Sequence, residues 1–290
     1  HDAGFGMGDA LDESRASLLL RTLARRGFCL CSTGLSTSLV AAARAELAAI
    51  NASGAMEAGY IAADVAHALR IRQLEGSPLE ELHRAQRQRL RSDHSIFFSG
   101  YVHGLKSGET APMPPKLGAV LDGPEAQYPA LARIQSLLID LGTALGKLLD
   151  QAPRDPTQYP MRFASDMAAP PTVRGFSDMQ CSCYQDATAQ YMAHTDNVRG
   201  EGSDGRLLTM VLYLNDEHWG ASDGGALRIW VPREVVACEG FQSDACAPYI
   251  DACPRGGTLC VFRSDRVLHA VRPPTRQRFA VTVWVLADGF

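Results

Sequence analysis

The sequence predicts an α+β protein in which helices come first and a strand-built barrel follows. Two observations carry this. In the first half apolar residues recur at helical spacing, as in Leu18, Leu19 and Leu23, or Leu131, Ile134, Leu138, Leu141, Leu145 and Leu148. From Asp178 onward the period falls to two, the spacing at which side chains share one face of a strand. Five or more such strands of mixed burial indicate a barrel or a double-sheet jelly roll.

The elements follow in order. Leu11 to Arg26 reads as an amphipathic helix with Arg15, Arg21, Arg25 and Arg26 between its leucines, and Gly27 stops it. Phe28 to Cys31 is a short strand. Ser36 caps a second helix, Thr37 to Ile50, rich in Ala and Leu. Pro78 to Arg91 reads as a third, strongly charged helix, and Ser95 to Phe98 as a strand. Ala111 to Pro115 is a turn or loop, and Pro129 to Leu149 a long helix. Beyond it, Met179, Cys181 and Cys183 alternate with Gln180, Ser182 and Tyr184. Leu207 to Leu214 is an almost continuous apolar run, as a strand buried on both faces requires. Asp223-Gly224-Gly225 marks a turn before the strand Ala226 to Val231, and Gly256-Gly257 one before Thr258 to Arg263. Pro273-Pro274 precedes the last strand, Arg278 to Leu286. The sequence has no internal repeat and no low-complexity segment.

At 290 residues, 46% hydrophobic and 21% charged, the chain can bury a large core in one domain. A single domain over 1–290 is expected, with a helix-rich part (1–177) carrying the first strands and a barrel core (178–290). The net charge of −4 and pI near 6.1 give no electrostatic footprint for nucleic acid or an anionic membrane. No run of ~18 apolar residues offers a membrane-spanning helix. The start, His1 to Met7, lacks the apolar stretch of a secretory leader and reads as a tag remnant. Cys29 and Cys31, like Cys181 and Cys183, alternate along strands and lack the spacing of a structural zinc site. Cys238, Cys246 and Cys253 cluster in one polar loop. All are read as free thiols in a reducing compartment, cytoplasmic or nuclear; one or two disulfides in that loop is the other reading.

The chemistry lies in the triplet His194-Thr195-Asp196, followed by Asp265 to His269 and then by Arg278. Two histidines and a carboxylate on one face of an iron leave the opposite positions open for a bidentate co-substrate and dioxygen. An arginine can hold the far carboxylate of 2-oxoglutarate through a two-point hydrogen-bonded pair. Strand parity supports the set. If that segment is extended, His194 and Asp196 point the same way; so do Arg278, Ala280, Thr282 and Trp284, and so do Thr209, Val211 and Tyr213. A buried arginine needs an anionic partner, which a dicarboxylate would supply. A lone His-x-Asp is weak evidence; the ordered set carries the reading.

Several stretches carry a family resemblance: Cys183-Tyr184, Tyr191 to Asn197, Asp204-Gly205-Arg206, Val211 to Asn215, Gly224 to Ile229, Phe262 to Arg266, and Arg278 to Trp284. Through them Met179 to Phe290 resembles the catalytic core of the prolyl 4-hydroxylase branch of the 2-oxoglutarate oxygenases, most of all the HIF-type prolyl hydroxylases. Arg91-Ser92-Asp93 is a shorter match to the start of that family's substrate-covering loop. The resemblance implies a double-stranded β-helix, a jelly-roll or cupin-like barrel with supporting N-terminal helices. It implies that His194, Asp196 and His269 ligate Fe(II), that Arg278 pairs with the distal carboxylate of 2-oxoglutarate, and that Tyr213 and Thr282 hydrogen-bond the same carboxylate. Tyr184 and Tyr191 then line the pocket near the metal, with Tyr184 on the co-substrate side, and Trp284 walls the substrate side. Arg206, Leu227, and Arg91 and Asp93 in the Arg91 to Phe98 loop are the implied substrate contacts.

The implied activity is 4-hydroxylation of prolyl residues in a protein or peptide. It consumes O2, decarboxylates the co-substrate 2-oxoglutarate to succinate, and draws on ascorbate. The carboxylate at Asp196 favours hydroxylation over halogenation. The alternative is the same chemistry on a free amino acid or other small molecule, while the intact ligand set argues against a non-catalytic binding module. No nucleic-acid or membrane partner is expected, and the chain is expected to be a monomer. Three departures surround the substrate entrance. Gln185 to Gln190 replaces a glycine-rich turn, Pro232 to Pro254 is longer and carries three cysteines, and the loop after Arg91 reads Asp93 to Phe98.

Overall fold

The computed structural model describes residues 13–58, 91–98, 120–121, 127–151, 171–197, 204–231 and 249–288. The expected helix at 78–90, the loop at 111–115, and Cys238 and Cys246 lie outside them. Three helices stand against one face of a large sheet: α1 (Glu13–Arg26), α2 (Thr37–Ala52) and α3 (Pro129–Gln151). Gly27, at φ +81°, ends α1 in a backbone conformation that suits glycine. Ser36 caps α2 as expected, its hydroxyl accepting from the Leu39 amide at 3.3 Å. The start of α3 is capped from another element: the Glu46 carboxylate of α2 accepts from the Ala130 and Leu131 amides at 3.0 and 2.8 Å. An anion there satisfies two orphan donors and meets the positive end of the helix dipole. Among the described residues no helix is long and apolar enough to cross a membrane.

The strands are β1 (Phe28–Ser32), β2 (Glu57–Ala58), β3 (His94–Phe98), β4 (Val120–Leu121), β5 (Val173–Phe176), β6 (Met179–Tyr184), β7 (Tyr191–His194), β8 (Arg206–Tyr213), β9 (Leu227–Trp230), β10 (Tyr249–Ala252), β11 (Thr258–Arg263), β12 (His269–Val271) and β13 (Arg278–Ala287). Nine form one sheet, in the order β1-β11-β8-β13-β6-β3-β2, with β4 paired to β3 and β5 to β13. The other four form a smaller sheet, β10-β9-β12-β7. The expected strands at 95–98, 207–214, 226–231, 258–263 and 278–286 appear within a residue or two of their expected ends. β2, β4, β5, β7, β10 and β12 are additions.

Alternation divides the large sheet into two faces. Met179, Cys181 and Cys183, Leu208, Met210 and Leu212, Leu259 and Val261, and Phe279, Val281, Val283 and Val285 all pack toward the helices in one continuous cluster. Leu131, Leu138, Leu145, Leu20 and Leu47 meet them there. On the opposite face Tyr184, Val211, Tyr213, Cys260, Phe262 and Ala280 turn into the space between the two sheets, against Leu227, Ile229 and Val271. This second face builds the site. Its register is set in β8–β13, where Ala280 opposes Tyr213 and Trp284 opposes Thr209. Slipping that pairing by one residue would turn every site residue on these strands toward the helices.

Leu138 is fully buried where α3 meets the sheet. Leu138→Ala is expected to lower the unfolding free energy by about 2–5 kcal/mol in a denaturant titration, with metal binding by the folded variant unchanged.

Candidate metal centre

His194 ends β7, Asp196 follows it in the turn, and His269 opens β12 beside them. β7 and β12 pair with an irregularity: His269 opposes His194, but Val271 opposes Tyr191. One extra residue in β7 bulges the strand, as bulges near active sites do. Both Tyr191 and His194 thereby turn inward, and their rings stack at 3.6 Å between centroids. His194 Nε2 lies 3.3 Å and His269 Nε2 3.6 Å from the same carboxylate oxygen, Asp196 Oδ1. Ligand atoms of the three residues all fall within 4.8 Å of one another, a set able to hold a metal ion.

The backbone orients both rings. His194 Nδ1 is 2.7 Å from the Met192 carbonyl and His269 Nδ1 is 2.9 Å from the Val267 carbonyl. A carbonyl only accepts, so each Nδ1 carries the proton and each Nε2 turns a lone pair toward Asp196. Burial lowers the His269 pKa to about 4, so its ring is neutral near pH 7. Burial also disfavours the Asp196 carboxylate. Even so, the adjoining His269 and His194, with the Arg206 guanidinium, hold it far below the usual range. An ionised carboxylate beside the neutral His269 ring is the protonation state a divalent metal needs.

The other carboxylate oxygen is held by the protein. Asp196 Oδ2 accepts from Thr209 Oγ1 at 2.7 Å and from the Trp284 indole Nε1 at 3.2 Å. The pattern of residues marks Thr209 as inward-facing but gives no hint of this bond, because the threonine sits inside an apolar run. Trp284, expected to wall the substrate side, thus also positions a ligand. The Arg206 guanidinium lies over the Trp284 ring at 4.1 Å, pairs with Asp204 at 2.9 Å, and reaches the Asp196 carbonyl at 3.3 Å.

Deeper in the barrel, Arg278 is 2% exposed. Its Nε donates to the Gly225 carbonyl at 2.7 Å. Gly225 has φ +68°, and a Cβ there would come within 2.8 Å of Arg278 Cδ, so the expected glycine turn is what lets the backbone approach the guanidinium. The guanidinium carbon sits 4.9 Å from the Tyr184 ring and 5.1 Å from the Tyr213 ring. Among the described residues no carboxylate pairs with Arg278, and the buried Tyr213 hydroxyl has no hydrogen-bond partner. A buried cation and an orphaned hydroxyl side by side suit a carboxylate ligand. Burial pushes the Tyr184 and Tyr213 hydroxyls well above their usual range, so both stay protonated as donors. Thr282 and Ala280 lie between Arg278 and Trp284 on the inward face of β13, so one strand runs from the cation to the metal site. Leu227 is 3% exposed and forms part of the barrel wall.

Asp93, which the resemblance implies as a substrate contact, lies beside Arg91. Asp93 is fully buried, with its carboxylate taken in two-point fashion by Arg91 at 2.6 and 2.9 Å. Arg91 in turn lies 4.6 Å over the Tyr191 ring. An acid this buried is stable only beside its cation, so the pair props Tyr191. Ser92 pins the same segment to the Gln185 to Gln190 turn, its amide donating to the Gln190 carbonyl at 2.9 Å.

Residues 179–286 match the family model described as the 2OG-Fe(II) oxygenase superfamily. The hypoxia-inducible factor prolyl hydroxylase of Caenorhabditis elegans is 31% identical over 115 residues, 39% of this chain and 14% of that protein. Egl nine homolog 1 of Homo sapiens is 32% identical over 113 residues, 39% of this chain and 23% of that protein. The chain thus spans less than a quarter of the length of either relative. Among solved structures, a prolyl hydroxylase from Trichoplax adhaerens in complex with a hypoxia-inducible factor oxygen degradation domain peptide fragment superposes with a TM-score of 0.62 at 19% identity. The match covers 95% of this chain and 90% of that one. The shared fold is the double-stranded β-helix expected from the sequence.

The native protein is expected to bind one Mn(II) or Co(II) per chain in calorimetry. Asp196→Ala is expected to lose at least about 100-fold in affinity; an unchanged affinity would remove Asp196 from the ligand set.

Proposed function

We propose that this chain is an Fe(II)- and 2-oxoglutarate-dependent dioxygenase that hydroxylates prolyl residues in a protein or peptide. One arrangement carries the reading. A two-histidine, one-carboxylate set stands at one end of the barrel interior; at the other stand an orphaned tyrosine hydroxyl and a buried guanidinium that, among the described residues, no carboxylate pairs. A keto dicarboxylic acid complements both ends, with its keto acid group toward the three ligands and its distal carboxylate toward Arg278 and Tyr213. Bound by His194, Asp196 and His269, iron(II) would supply the activation of dioxygen, coupled to decarboxylation of 2-oxoglutarate to succinate.

The protein's own part is orientation and exclusion. The Met192 and Val267 carbonyls fix the histidine tautomers. Arg278, held by the Gly225 carbonyl, supplies the two-point pair for the distal carboxylate. Tyr184, Val211 and Ala280 wall the space between, and an apolar wall keeps water from the reacting centre. Tyr191, Trp284 and Arg206 surround the metal end, where a substrate would enter. The resemblance of residues 179–286 to enzymes named as prolyl hydroxylases supports proline in a polypeptide as the target. The buried free thiols of Cys29, Cys181, Cys183 and Cys260 are in keeping with a reducing, cytoplasmic setting.

With Fe(II), ascorbate and 2-oxoglutarate, the purified protein is expected to form succinate faster when proline-containing peptides are added, and mass spectrometry should find one added oxygen on proline. Turnover that no peptide stimulates would redirect the search to free amino acids and other small metabolites.

A further inference from the structure

Thr209 and Ser264 are both buried, at 1% and 0% exposure, inside the barrel wall. Their hydroxyls lie 2.9 Å apart. Thr209 has one proton, and its 2.7 Å contact with Asp196 Oδ2 needs that proton, because a carboxylate only accepts. The direction of the second bond follows. Ser264 must donate to Thr209, and Thr209 to Asp196. Ser264 is itself fixed by the backbone, its amide donating to the Leu207 carbonyl at 3.1 Å and its carbonyl accepting from the Asn197 amide at 3.0 Å. That second bond ties the residue after the Asp196 ligand to the same strand end as the relay.

Trp284 approaches the same Oδ2 from β13, where it is the cross-strand partner of Thr209. Two neutral donors therefore occupy Oδ2, while both imidazole Nε2 atoms face Oδ1. We propose that Ser264 and Thr209 form a hydroxyl relay that, with Trp284, positions Asp196 to present Oδ1 alone to the metal. The relay rests on the metal-site reading of His194, Asp196 and His269. Thr209 and Ser264 are positioning residues, since neither touches substrate or metal. A fixed carboxylate binds metal without first being ordered, and partners of this kind commonly govern metal affinity.

Thr209→Val keeps the shape of the side chain and removes the hydroxyl; Thr209→Ser keeps the hydroxyl. By calorimetry with Mn(II), Thr209→Val is expected to bind about 10- to 100-fold more weakly than the native protein, and Thr209→Ser within a few-fold of it. Native-like affinity in Thr209→Val, even with a lowered melting temperature, would overturn the relay, because the hydroxyl would then serve packing alone. If Thr209→Val does not fold, Ser264→Ala decides. It leaves the Thr209–Asp196 bond in place, so a several-fold loss supports the relay and native affinity overturns it. A native protein that binds no Mn(II) overturns the relay and the oxygenase reading together. Binding without any succinate formation overturns only the latter.

Discussion

The open end of the barrel is organised around one buried carboxylate. An ionised Asp196 inside the fold is costly unless its oxygens are satisfied. The structure satisfies one of them, Oδ2, with Thr209 and Trp284 and leaves the other facing two imidazole lone pairs. Three ligand atoms converge there, an arrangement that a divalent cation suits. Because Thr209 and Trp284 are register partners, the β8–β13 pairing that holds the sheet together also sets the ligand.

The same pairing sets the far end. Ala280 opposes Tyr213, which brings the tyrosine hydroxyl beside Arg278, two residues earlier on β13. One register thus yields an end rich in negative and lone-pair character and an end holding a positive charge, joined by an apolar wall. The turn at Gly224-Gly225 closes the cation end, propped by Trp219, whose indole donates to the Gly224 carbonyl at 2.9 Å. A dicarboxylate chelating a metal at one end completes both.

Much of this was legible in the sequence because it follows from period and residue type. β8, β11 and β13 announce themselves as apolar runs bounded by glycine or proline, and their parity gives the inward faces. His194, Asp196, His269 and Arg278 stand out as polar residues in strand positions. The bulge in β7 was not legible, since its outward-facing extra residue breaks the alternation that a strand reading depends on. β12 is only three residues long, too short to show a period. Thr209 and Ser264 were hidden for a different reason. Hydroxyls in an apolar strand have no pattern of their own, and their role exists only through contacts between strands distant in sequence. The pairing of Asp93 with Arg91 was not legible either, because it is set by tertiary burial.

The most direct test of the central claim is anaerobic calorimetry of 2-oxoglutarate against the Mn(II)-loaded and metal-free protein, native and Arg278→Leu. Tight binding that needs both the metal and Arg278 is the predicted result, since the two ends of the barrel hold the two ends of one ligand. Binding that is indifferent to the metal, or undiminished by loss of Arg278, would contradict the account.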